Sequence, residues 1–118
     1  MKAELPGWNF SETVLHAKNV WNTYLRKIEI EAPEKQKEIF YTSMYRLFLQ
    51  PANITDVDGL YRGGDDSVRP AANKEYYSTL SLWDTYRAAH PLYTIIVSDK
   101  VNGFVRTMIA HSLSLIHI

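Results

Sequence analysis

At 118 residues the chain has the length of one small domain and little room for a second. Its thirteen basic residues balance thirteen acidic ones, which removes the electrostatic case for nucleic acid or an anionic membrane as a partner. An apolar fraction of 46% argues against wholesale disorder, and the lack of cysteine excludes a disulfide framework or a thiolate metal site.

Met1 to Trp8 contain no apolar run of signal-peptide length, and nothing in the sequence is apolar for long enough to span a bilayer. The expectation is a soluble chain or a part of something soluble. Asn9-Phe10-Ser11-Glu12 then reads as a helix start, with Asn9 as the cap and Glu12 three residues on. Val14, Ala17, Trp21, Tyr24, Leu25 and Ile28 recur at threes and fours, the spacing of one helical face. Pro33 punctuates that helix, and Glu34 suits the positive end of a second one. Ile39, Phe40, Met44, Leu47 and Phe48 supply its apolar face until Pro51 stops it.

Residues 51 to 78 change in kind. Prolines, a glycine pair and Asp56, Asp58, Asp65 and Asp66 predict a long loop built from turns. Asp58-Gly59 and Gly63-Gly64 offer positive backbone angles, and Pro70 disfavours helix at Arg69. Tyr61, Tyr76 and Tyr77 favour an ordered loop over a disordered one. A third helix is predicted from about Ser78 to His90, then a short one from Pro91 through Val97. A last helix is capped at Ser98-Asp99 and carries Val101, Phe104, Val105, Met108 and Ile109. Residues 112–118 alternate polar and apolar like a strand. A short native strand and a non-native end both fit, and the second is preferred because an isolated strand there has nothing visible to pair with.

Trp83, Asp84 and Arg87 are the candidate chemistry. An aromatic plate, a carboxylate and a guanidinium within one helical turn can hold a polyhydroxylated ligand by stacking and directional hydrogen bonds. On spacing alone the favoured reading is a core tryptophan beside an exposed helical ion pair, worth a few tenths of a kcal/mol. The four aspartates of the loop lack the spacing of a calcium loop and read as turn residues bonding their own backbone. His16, His90, His111 and His117 show no paired metal spacing, and His90 is expected to cap a helix end. Asn9-Phe10-Ser11 and Asn53-Ile54-Thr55 match a glycosylation sequon, a pattern short enough to arise by chance.

The segment SLWDTYRAAHPL at residues 81–92 resembles the corresponding segment of glycoside hydrolase family 92, the calcium-dependent exo-acting α-mannosidases. FYTSMYRLFLQP and DVDGLYRGGDD upstream follow that family's order, and the resemblance covers roughly residues 21–110. It implies an all-α fold class: residues 1–111 as a helical fragment of a catalytic (α/α)6 barrel with one long ordered loop, and 112–118 as a tail. It further implies release of terminal α-linked mannose from glycans such as N-glycans, with inversion, in a secreted or periplasmic setting. Calcium would be the cofactor, its ligands not identified in this chain. Trp83, Asp84 and Arg87 would contact the sugar. The partners would be a mannose-containing glycan and the remainder of the parent enzyme, with no nucleic acid and no membrane. Inversion needs an acid and a base roughly 6.5–9.5 Å apart. The family's pair lies in later motifs, so no catalytic residue is assigned here, and the chain alone is expected to be inactive. The alternative is an independent helical carbohydrate-binding or scaffold module without catalysis.

Overall fold

The computed structural model describes residues 7–78 and 82–116. It divides into two compact units, Met1–Leu47 and Phe48–Ile118.

The first unit is a pair of helices. In α1, Phe10–Leu25, the Asn9 side-chain oxygen accepts the Glu12 amide at 3.3 Å and the Asn9 carbonyl accepts that of Thr13 at 3.0 Å. This is the predicted cap, satisfying donors that a helix start leaves open. After a short extended link, α2 runs Glu34–Leu47. The two are joined by Trp21 against Tyr45, with ring centroids 4.4 Å apart, and by the Tyr41 hydroxyl donating to the Ile28 carbonyl at 3.2 Å. Met44 is buried, while Val14, Trp21, Leu25, Phe40 and Leu47 are half-covered. Ile39, expected on the packed face, is 59% exposed. The stripe that packs is Phe40, Met44, Leu47, and Ile39 stands about 140° around the helix from Met44.

The second unit opens with the predicted long loop, which is ordered and closed by its own ends. The Ala52 and Ser78 backbones bond at 2.8 Å, Ile54 N donates to Tyr76 O at 2.8 Å, and Asn53 bridges Tyr77. Inside this expected loop lies a hairpin. Strands β1, Leu60–Arg62, and β2, Val68–Pro70, pair antiparallel with Tyr61 opposite Arg69. Three-residue strands are too short to show alternation, so the pattern carried no signal. Gly59 takes φ +84, as expected of Asp58-Gly59. The Gly63-Gly64 pair takes no positive φ; the left-handed residue of the hairpin turn is Asp66, at φ 61.

The predicted helix from 78 to 90 is not continuous. Its start at residues 79–81 lies outside the described residues; within them, α3 is only Leu82–Thr85, followed by a turn at 86–88 and then α4, Ala89–Ile96. Pro91 falls in the first turn of α4, where its missing N–H costs no bond. His90 therefore stands near a helix start and caps no C-terminus, which corrects that expectation. Among the described residues its Nε2 is buried without a hydrogen-bond partner, and its ring meets Tyr93 edge-on at 5.7 Å. Helix α5, Ser98–Ile116, begins where predicted and continues through residues 112–116, where the strand alternative is not found; residues 117–118 lie outside the described residues. An alternation of seven residues is too weak to stop a helix whose backbone bonds are already propagating.

Tyr76, Tyr77, Tyr93, Ile96, Val97, Phe104 and Thr107 are buried and form the core of this unit. Tyr61 stacks on Tyr76 at 3.7 Å, and burial pushes the Tyr76 phenol's pKa up. The Tyr93 hydroxyl donates to the Gln50 carbonyl at 2.9 Å. The chain is predominantly helical, as the sequence requires. No helix among the described residues is long and apolar enough to cross a membrane.

Candidate functional site

Trp83 and Asp84 sit side by side on α3, and Arg87 follows in the turn, where its backbone N–H reaches the Asp84 carbonyl at 3.4 Å. All three side chains are exposed, Trp83 at 80%. Trp83 is therefore not packed in the core of this chain. Nor does Arg87 pair with Asp84 among the described residues. Its Nε donates to the Tyr86 hydroxyl at 3.1 Å, and its guanidinium lies 5.6 Å from the Tyr86 ring centroid. The short helix explains this. With α3 ending at Thr85, Arg87 leaves the helical face that an i, i+3 pair needs and settles on its aromatic neighbour.

The outcome is an indole plate, a carboxylate and a ring-backed guanidinium presented together on an open surface. Carboxylate oxygens accept hydroxyl protons, a guanidinium fork donates, and an exposed aromatic face covers the apolar side of a sugar ring. Tyr86, 57% exposed and holding Arg87, belongs to this strip, a role not expected from the sequence. Its signal was the aromatic immediately before the arginine, in a stretch whose helix was expected to separate the two. A cleft of about 510 Å³ in the first unit, lined by Leu25, Tyr41 and Tyr45 with Glu34, Lys37 and Glu38, contains none of these residues.

The loop aspartates behave as turn residues. Asp56 accepts from Val57 N at 2.8 Å, and Asp58 from Leu60 N at 2.9 Å. Asp65 accepts from the Ser67 hydroxyl at 2.7 Å and pairs with Arg69; Asp66 pairs with Arg62 at 3.4 Å. The Ser67 hydroxyl, chief among its partners, holds the Asp65 carboxyl below its ordinary pKa. Their oxygens are committed to backbone, serine and arginine. No three His, Asp or Glu among the described residues converge to hold a metal ion, so these residues do not fit calcium.

The residues that precede the strip in the chain are bonded to α5. The Tyr77 amide donates to Thr107 Oγ1 at 3.1 Å, and that hydroxyl donates to the Gly103 carbonyl at 3.0 Å. Glu75 accepts from Lys100 Nζ at 3.0 Å, a bond that raises the Lys100 pKa. A Cβ at Gly103 would lie 2.8 Å from the Tyr77 ring and 3.0 Å from the Glu75 carboxylate. A glycine inside an amphipathic helix was the sequence signal for that close approach.

The family model for the glycosyl hydrolase family 92 catalytic domain matches residues 1–114. Among solved structures, the family 92 α-mannosidase from Bacteroides thetaiotaomicron is 37% identical with a TM-score of 0.87, covering 92% of this chain and 15% of its own. The same enzyme in complex with mannoimidazole is 38% identical at a TM-score of 0.84, covering 92% and 14%. A further family 92 glycosyl hydrolase is 29% identical at 0.70, covering 79% and 13%. The chain thus spans about 15% of the length of the first of these structures. No curated protein matches the chain.

Proposed function

The chain belongs to glycoside hydrolase family 92, and on that premise we propose that it forms part of the catalytic domain of an exo-α-mannosidase. In that role it contributes a mannose-contacting strip and the remainder of the parent enzyme contributes the acid and base. The observation that carries the reading is the family match across residues 1–114, together with the exposure of Trp83, Asp84 and Arg87.

In this reading Trp83 covers the apolar face of the sugar, Asp84 accepts from its hydroxyls, and Arg87, backed by Tyr86, donates to a sugar oxygen. The substrate would be a glycan ending in α-linked mannose, such as an N-glycan, released with inversion. The mannoimidazole complex of the Bacteroides enzyme supports a mannose-type ligand. Calcium, where the enzyme uses it, would be held by carboxylates other than those of the loop, and no step is routed through it here.

The test is made in the complete enzyme carrying this chain. Asp84→Ala should lower kcat/KM for an aryl α-mannoside roughly tenfold to a hundredfold. That corresponds to the loss of one hydrogen bond to a charged group, roughly 1.5–3 kcal/mol. Unchanged kcat/KM would remove Asp84 from the site. Residues 1–118 alone should show no turnover, and turnover by them would replace the partial-domain reading with a self-sufficient catalyst.

A further inference from the structure

We infer that Phe104, on α5, is the positioning residue of the candidate sugar-binding strip, assisted by Thr107 one turn on. This inference rests on the reading of Trp83, Asp84 and Arg87 as substrate contacts. Phe104 is 7% exposed. It meets the Tyr77 ring edge-on at 4.7 Å and 87°, and the Tyr93 ring at 5.7 Å and 67°. Tyr77 precedes the strip in the chain and Tyr93 follows it, so one side chain grips the segment on both sides. Each grip has a second, polar tie. Tyr77 N is bonded to Thr107 Oγ1, and the Tyr93 hydroxyl is bonded to the Gln50 carbonyl.

The strip itself has little regular secondary structure. Helix α3 has four residues, and its carboxylate and indole are exposed. A helix that short has almost no stability of its own, because nucleation is costly and propagation has barely begun. Its placement depends on the packed residues before and after it, and Tyr77 and Tyr93 both meet the Phe104 ring. A sugar contact held loosely by about 1 Å loses much of its binding and orientation. Phe104 touches no substrate in this scheme and acts through Tyr77 and Tyr93.

The experiment uses the complete enzyme, with KM and kcat for an aryl α-mannoside, titration with mannoimidazole, and hydrogen exchange of backbone amides 82–88. Phe104→Leu keeps an apolar side chain but removes both edge-on contacts. It should raise KM and weaken mannoimidazole about tenfold, change kcat less, and speed exchange at 82–88. Thr107→Val should shift the same readouts in the same direction by two- to threefold, and Thr107→Ser should restore them. Met44→Ala, in the helix at 34–47, controls for lost burial alone and should leave KM and exchange at 82–88 within twofold. The inference is overturned if Phe104→Leu leaves KM and that exchange unchanged while Trp83→Ala weakens mannoimidazole. Should Phe104→Leu fail to fold, Thr107→Val decides, and an unchanged KM there overturns it. If Trp83→Ala and Asp84→Ala leave mannoimidazole binding intact, the substrate reading falls, and exchange at 82–88 in Phe104→Leu still reads the positioning.

Discussion

The two units are held together by different physics. Residues 10–47 are two regular helices with good local bonding but only Met44 buried among the described side chains. Residues 48–97 have short, broken elements before the long helix α5, and hydrogen bonds between residues 21 to 43 positions apart close the loop and pin it to α5. Regular secondary structure and tertiary cohesion are therefore separable. The unit with the clearer helices has the thinner core. The other is fixed by hydrogen bonds between residues far apart in the chain, such as Tyr77 N to Thr107 Oγ1 and the Tyr93 hydroxyl to the Gln50 carbonyl. Exposed Ile95, Ile109, Leu82 and Trp83 show that even this unit leaves apolar surface open, as a piece of a larger helical domain would.

Removing Met44, the one buried side chain among the described residues of the first unit, is the harshest way to break this comparison. Met44→Ala should cost about 2–5 kcal/mol in the stability of that unit. Hydrogen exchange should then accelerate across 34–47 while amides 98–107 stay protected. Equal acceleration in both stretches would show that the units melt as one.

Next in size is Gly103→Ala. Its methyl would fall 2.8 Å from the Tyr77 ring, and overpacking of this kind costs roughly 1–3 kcal/mol, more than the gain in helix propensity. The loss should appear in the thermal melt of the second unit, and an unchanged melt would mean that Tyr77 is free to move aside. A smaller effect is expected at the first helix. Asn9→Ala removes the cap from the Glu12 amide and should cost about 1 kcal/mol, read as lower helicity by circular dichroism.

The finest contrast is in pH. Lys100 is raised by its bond to Glu75, and Tyr76 and Tyr93 are raised by burial. A group whose pKa is higher folded than unfolded gives its full stabilisation below the unfolded value. It loses that stabilisation as pH climbs through the folded one. The second unit should therefore weaken above about pH 10, where unfolded tyrosine and lysine begin to lose their protons, and less steeply in Lys100→Met. A melting temperature flat from pH 9 to 11 would contradict this.

Periodicity alone placed α1, α2 and α5, because a helix with one covered face repeats its apolar residues every three or four positions. Asn9 marked the start of α1 and Pro33 the start of α2, although α1 ends at Leu25, well before Pro33; the composition of 51–78 marked the loop. The family resemblance likewise rests on contiguous residues, and the match over residues 1–114 bears it out. Other features had no local signature. The hairpin at 60–70 is set by pairing across a turn, and the break after Thr85 overrides a sequence that reads as continuous helix. His90 changes from helix end to helix start as a consequence. Arg87 joins Tyr86 and not Asp84 because that break rotates it off the shared face. Phe104 reads in sequence as one more apolar residue of an amphipathic helix. Only the tertiary structure sets it between Tyr77 and Tyr93, since contacts between residues this far apart depend on where the chain returns, and no local spacing encodes that.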